Sequence, residues 1–180
     1  MNKSYLFFFV HPAKFHLFKH TINKLKLNGY KVSILIVSKD VLEQLIQEEG
    51  WDYTNLFPRG RKVKFLPAKI VAIFSAILTI IKLFKFLIFN KRYNIFITDD
   101  ILVIPGFFLR IPTYFFVDND YKTLSFGKYL LPFASKIISP ASTDLDKFGY
   151  KKISFKGNKA IAHLSPKYFT ANKKIIKNLN

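Results

Sequence analysis

The sequence predicts a doubly wound α/β domain built on a mainly parallel sheet of six to seven strands. Short continuous apolar runs, Tyr5–Val10 first among them, mark strands covered on both faces. Between them lie segments whose apolar residues recur every three or four positions, the period of a helix with one buried face. The length of 180 residues, with 50% hydrophobic, suits a single core.

The elements follow from these patterns and from the punctuation between them. After Tyr5–Val10, Pro12 opens a helix whose positions Phe15, Phe18, Ile22 and Leu25 form one stripe, and Asn28-Gly29 closes it. Val32–Val37 is a second strand. Ser38 stands where a cap is needed for a helix over Val41–Glu48, which Gly50 ends, and Tyr53–Phe57 reads as a short third strand. The basic loop Pro58–Lys64 leads to a helix running from Pro67 to about Phe89. Tyr93–Thr98 is then a strand opening on Asp99-Asp100, Leu102–Leu109 a helix, and Thr113–Val117 a strand ending in Asp118-Asn119-Asp120. Lys136–Ile138, a short helix over Asp144–Phe148, the strand Lys152–Phe155 and a helix over Asn172–Leu179 complete the chain. Strands alternating with helices imply right-handed βαβ units and hence parallel pairing.

Composition narrows the partners. With 29 basic and 11 acidic residues the net charge is +18, which favours something anionic. Only Arg59, Arg61, Arg92 and Arg110 are arginines, and most of the 21 Phe lie inside apolar runs. Nucleic-acid binders favour arginine forks and accessible aromatics for stacking, so nucleic acid is not the expected partner. The absence of Cys excludes disulfides, thiolate zinc sites and a cysteine nucleophile. The first apolar run is too short for a secretory signal, so a cytoplasmic protein is expected.

Ile70–Ile81 is twelve residues without a charge, bounded by Lys69 and Lys82. That is short of the roughly 20 apolar residues a span needs, so no crossing is expected. Two readings stay open. One is an amphipathic crossover helix with Lys69, Lys82 and Lys85 in solvent. The other is an interfacial helix that puts Ile73, Phe74 and Ile77 into an anionic membrane surface, the inner face of the plasma membrane, with Arg59, Arg61, Lys62, Lys64, Lys69 and Lys82 at the headgroups.

In an open α/β sheet, ligands bind beyond the carboxyl ends of the strands. That rule selects His11, Lys14 and His16 after the first strand, Ser38 after the second, Asp99 and Asp100 after the fourth, and Asp118, Asn119 and Asp120 after the fifth. His16 or one of Asp99, Asp118 and Asp120 is the candidate general base. The plainer alternative makes Ser38, Asp99 and Asp118 caps of the following helix or turn. His16 and His20 have the spacing of two metal ligands, but no third ligand is indicated and Leu17 stands where a zinc-protease helix carries Glu, so no metal site is expected. Neither a G-x-G-x-x-G nor a phosphate loop occurs, and no cofactor is expected.

Several segments together resemble one family. They are Pro12-Ala-Lys-Phe-His-Leu-Phe-Lys19, Leu25 to Asn28-Gly29-Tyr30-Lys-Val32, Val117-Asp-Asn-Asp120, Leu131-Pro132, Ser139-Pro140 and the closing stretch Lys156 to Phe169. This combination resembles the DUF354 family, whose members look like GT-B glycosyltransferases and UDP-N-acetylglucosamine 2-epimerases. In the closing stretch Gly157, Lys159, Ala162, Leu164, Pro166 and Phe169 match the family pattern, whereas Ala160, His163 and Ser165 replace its Glu, Tyr and His. His16 matches, and Lys14 stands where the family usually has another His. The resemblance implies a single Rossmann-like domain over 1–180, equivalent to the N-terminal half of a GT-B fold, with the nucleotide-sugar half absent. It further implies a role in cell-surface polysaccharide or glycolipid synthesis and a sugar or lipid-linked acceptor contacted by His11, Lys14, Ser38, Asn119, Gly157 and Lys159. A separate chain supplying the second half is the implied partner, and the isolated chain is expected to be inactive.

Overall fold

The computed structural model describes residues 3–37, 41–58, 68–90, 93–157 and 164–167, with the backbone alone at 68 and 69. Among the described residues there are seven strands, all parallel, in the order β3-β2-β1-β4-β5-β6-β7. They are β1 (Ser4–Phe9), β2 (Lys31–Ile36), β3 (Thr54–Asn55), β4 (Ile95–Thr98), β5 (Thr113–Phe116), β6 (Lys136–Pro140) and β7 (Lys152–Phe155). The helices are α1 (Pro12–Leu27), α2 (Leu42–Glu48), α3 (Ala68–Phe89) and α4 (Val103–Phe108). The chain winds outward from β1 to β3, and α3 then carries it back across the sheet to begin again at β4. The order therefore reverses between β1 and β4, as a doubly wound sheet requires.

Why β1 carries no polar alternation is visible in its packing. Successive side chains point to opposite faces. Phe7 and Phe9 enter the layer under α1 and α2 with Phe15, Phe18, Ile22, Leu42 and Ile46, while Leu6 and Phe8 enter the layer under α3 and α4 with Leu83, Leu102 and Val103. Both layers are apolar, so both parities are apolar. Helix α1 begins where expected. His11 caps it, its Nδ1 accepting from the Ala13 amide at 3.2 Å, Pro12 occupies the first turn, and Gly29 leaves with φ 76°.

Several boundaries differ from the sequence expectation. β3 is only Thr54–Asn55, β4 starts at Ile95, and α2 follows Val41 without a side-chain cap, while Ser38 lies outside the described residues. β6 continues through Ser139 and Pro140, because pairing with Ser154 and Phe155 of β7 holds them extended. The short helix expected over Asp144–Phe148 is a 3₁₀ turn over Asp146–Lys151, and two further 3₁₀ turns, Phe126–Tyr129 and Leu131–Phe133, fill the β5–β6 connection. The expected helix over Asn172–Leu179 lies outside the described residues.

Helix α3 runs to Phe89, as expected, well past the twelve residues without a charge. Ile70–Phe89 is long and apolar enough to cross a membrane by length and composition, since Lys82 and Lys85 interrupt it without ending it, and only 22% of it is buried. A crossing would put its two ends on opposite sides of a bilayer. β3 and β4 lie in one sheet, so in this fold α3 lies along the sheet. Leu83 anchors it, fully buried, with Ala76, Leu78, Ile80, Phe86 and Leu87 packed alongside. Its outer side leaves Ile70, Ile73, Phe74, Ile77 and Ile81 exposed.

Candidate functional site

The reversal of strand order brings the ends of β1 and β4 together, and two residues 85 positions apart meet there. Lys14, in the first turn of α1, places its Nζ 3.1 Å from Oδ2 of Asp99, the first residue after β4; their side chains are 15% and 17% exposed. The other carboxylate oxygen, Oδ1, is buried and has no hydrogen-bond partner among the described residues. Burial pushes the Asp99 carboxyl above the usual carboxylate range, with Asp100 adding to the rise and Lys14 opposing it. A carboxylate with a raised pKa and one free oxygen at a switch point has the attributes of a proton acceptor.

Asp118 joins this pair from β5. It shares with Lys14, Leu17, Phe116, Val117 and Phe155 a notch of about 10 Å³, room for roughly one water. Lys14, Asp99 and Asp118 are thus the sequence candidates that the fold gathers. His16 is two residues beyond Lys14 on α1, about 200° around a helix of 3.6 residues per turn, and its ring packs against Phe15 at 5.2 Å. His11 spends Nδ1 on the helix cap. Asp120 ties the connection after β5 to that after β6, its Oδ1 accepting from the Asp144 amide at 2.7 Å while the Tyr121 amide donates to the Asp144 carbonyl at 2.8 Å. Asn119 is exposed beside it, and Gly157 follows β7 in the left-handed region with φ 86°. Ser38, Lys159, Arg59, Arg61, Lys62 and Lys64 lie outside the described residues. Among the described residues no three His, Asp or Glu side chains are grouped to hold a metal ion.

Asp99 and Asp100 end the same strand but serve opposite faces. Asp99 turns to Lys14 on the α1 side, whereas Asp100 turns to the α3 side. There it lines a cavity of about 290 Å³ with Ala72, Ile73, Ser75, Ala76, Thr79, Ile101 and Phe126. Of its lining residues the strand-end rule marks Asp100 alone. The cavity's own signal was present, because Ser75 and Thr79 are the sole polar residues in Ile70–Ile81 and stand one helical turn apart.

The family described as protein of unknown function (DUF354) matches residues 9–180. The chain belongs to the DUF354 family. No curated protein matches it significantly in sequence. Among solved structures, this DUF354 chain is similar to a UDP-N-acetylglucosamine 2-epimerase, with a TM-score of 0.71 at 11% identity over 100% of the chain and 55% of that structure. It is also similar to the UDP-GlcNAc 2-epimerase from Neisseria meningitidis bound to UDP-GlcNAc (TM-score 0.65, 14% identity, 88% of this chain and 47% of that one). Acinetobacter baumannii MurG is a third (TM-score 0.58, 14% identity, 79% and 44%). The DUF354 chain has the Rossmann-like fold of these GT-B proteins and spans about half their length.

Proposed function

We propose that the chain is the acceptor-side, N-terminal half of a glycosyltransferase-like or sugar-nucleotide epimerase-like protein of cell-surface polysaccharide or glycolipid synthesis. A second Rossmann-like half, carried by another chain, would complete the cleft and hold the nucleotide sugar. The observation that carries this reading is the Lys14–Asp99 pair at the switch point of the sheet. In it Asp99 accepts a proton from the reacting sugar, Lys14 holds the carboxylate in place and balances its charge, and Asp118 borders the reacting group from the β5 side. Such proton transfer contributes roughly 10²–10⁴-fold to rate.

The test is affinity capture with the full chain, mass-spectrometric identification of a partner of similar size with a Rossmann-like pattern, and assay of the pair on UDP- and TDP-sugars. Turnover should fall about 100-fold or more in Asp99→Asn. Equal turnover in that variant, or no sugar-nucleotide reaction by the pair, would defeat the proposal.

The exposed face of α3 favours a second reading, attachment to the inner surface of the plasma membrane. Ile73, Phe74 and Ile77 are 63%, 51% and 48% exposed, and the net charge of +18 complements anionic lipid. Lys82 is less available for headgroups than its position implied, since its Nζ donates to the Leu56 carbonyl at 2.5 Å and lies 3.9 Å from the centre of the Phe57 ring. Co-sedimentation with vesicles containing anionic phospholipid tests it, and equal recovery without vesicles would exclude it.

A further inference from the structure

Thr98 is the last residue of β4 and is fully buried, flanked in register by Phe8 of β1 and Phe115 of β5. Alternation along the strand turns its side chain to the α3 and α4 layer, where Phe8, Phe96 and Phe115 lie. Valine has nearly the same shape and would suit the strand and this apolar setting equally well. The hydroxyl is therefore the part that packing does not call for, and both of its bonds go to backbone. It donates to the Phe8 carbonyl at 2.9 Å and accepts from the Asp100 amide at 3.0 Å.

Asp99 lies between these two anchors. On its N-terminal side, Thr98 occupies the last register position of the β1–β4 ladder. On its C-terminal side, the Asp100 amide is drawn back to the Thr98 side chain, in the turn where a Ser or Thr oxygen accepts from the amide two residues on. The bond to Phe8 ties that turn to β1, the strand that leads into α1 and Lys14. One hydroxyl thus links the backbones that carry both partners of the Lys14–Asp99 pair. Asp100 is fixed in turn, its Oδ1 accepting from the Ile101 amide at 2.6 Å, and stays on the α3 side instead of competing for Lys14. We propose that Thr98 is a positioning residue, whose hydroxyl holds the turn that keeps the Asp99 carboxylate on Lys14 and sends Asp100 to the other face. The inference rests on the role given to Asp99 under the proposed function and names the residue that sets its geometry.

Two substitutions separate this role from simple space filling. Thr98→Val keeps the volume and removes the hydroxyl, while Thr98→Ser keeps the hydroxyl and removes the methyl group. The readout is the titration of the Asp99 side-chain carboxyl by NMR in the full chain, with Asp99→Asn identifying its resonance. The charged groups around that carboxyl are Lys14 from α1, Asp100 beside it and Asp118 from the β5 side. Thr98→Ser should titrate as the wild type does, and Thr98→Val should move down toward the usual carboxylate range as the loosened carboxyl gains water. In the completed pair, kcat should fall about tenfold in Thr98→Val with KM unchanged, and stay within about twofold of wild type in Thr98→Ser. Equal titration in all three proteins, or an equal shift in both variants, would overturn the proposal. If Thr98→Val does not fold, amide hydrogen exchange decides. The Asp100 amide should exchange slowly in the wild type and in Thr98→Ser, and exchange at an open-loop rate in the wild type would overturn the proposal. The titration needs no partner chain. The expected pattern without sugar-nucleotide turnover by the wild-type pair therefore overturns the proposed function alone, and turnover left unimpaired by Thr98→Val overturns the role of Thr98 alone.

Discussion

The two faces of the sheet are covered to different degrees. Under α1 and α2 the apolar layer is closed at its margin by a polar cluster. Trp51 Nε1 donates to Asn23 at 3.0 Å, Asn23 donates to Glu49 at 2.8 Å, and Lys19 pairs with the same carboxylate. Burial raises the pKa of Glu49, but the bonds from Lys19 and Asn23 and the Lys19 charge more than offset it, leaving that carboxyl below its usual range. Under α3 and α4 the inner layer is equally well filled, yet the outer side keeps Ile70, Ile73, Phe74, Ile77, Phe107 and Phe108 in the open and a cavity beside Ser75. One face is closed at its margin by polar contacts, and the other leaves apolar side chains exposed along α3 and α4.

The sharpest way to break this contrast is at the closed face. Phe18 is 1% exposed and sits against the rings of Phe7 at 5.5 Å and Phe116 at 4.9 Å. Phe18→Ala should cost about 3–5 kcal/mol, read as a shift in the denaturant midpoint. A loss below about 1 kcal/mol would mean that this layer is loosely packed. On the α3 and α4 side the backbone approach is the tight feature. A Cβ at Gly106 would lie 2.0 Å from Thr113 Oγ1 and 3.1 Å from a Phe96 ring carbon, so Gly106→Ala should cost about 1–3 kcal/mol despite its better helix propensity.

A pH-dependent difference comes next. Asp99 has a raised folded-state pKa, so between its ordinary value and that raised value the unfolded chain has released the proton that the folded chain keeps. Stability contributed by this group therefore falls as pH rises through that window. Asp99→Asn retains an acceptor for Lys14 but cannot titrate. Relative to wild type, its stability should rise with pH across the acidic range, measured by urea unfolding at a series of pH values. A difference independent of pH would show that Asp99 titrates normally. The smallest effect belongs to the open face. Ile73→Ser and Phe74→Ser should change stability by about 0.5 kcal/mol or less, while reducing recovery with anionic vesicles. A loss comparable to Phe18→Ala would show that α3 is covered by this chain after all.

Much of the fold was legible because its signals are local. Pro12, Asn28-Gly29 and Gly50 punctuate helices through backbone preferences that act within a turn, and they stand where expected. β6 runs longer than the sequence predicts because Ser139-Pro140 reads as a turn in isolation, while pairing with β7 keeps it extended. At the candidate site, Lys14, Asp99 and Asp118 were all marked by the rule for strand ends, as were His16 and Asp120. Only the helix angle turns Lys14 to Asp99 while placing His16 about 200° away, and only the contact with the residue 144 backbone ties Asp120 into a structural crossing.

The sequence by itself determined the alternation of strands and helices, the double burial of β1 and the family to which the chain belongs, because periodicity and short motifs depend on neighbouring residues. Tertiary structure alone decided that Lys14 meets Asp99, that Asp99 and Asp100 serve opposite faces, and that Ser75 borders a cavity. Those outcomes depend on which strands lie side by side and on what each helix covers. Such pairings join residues tens of positions apart, and no window along the chain contains both partners.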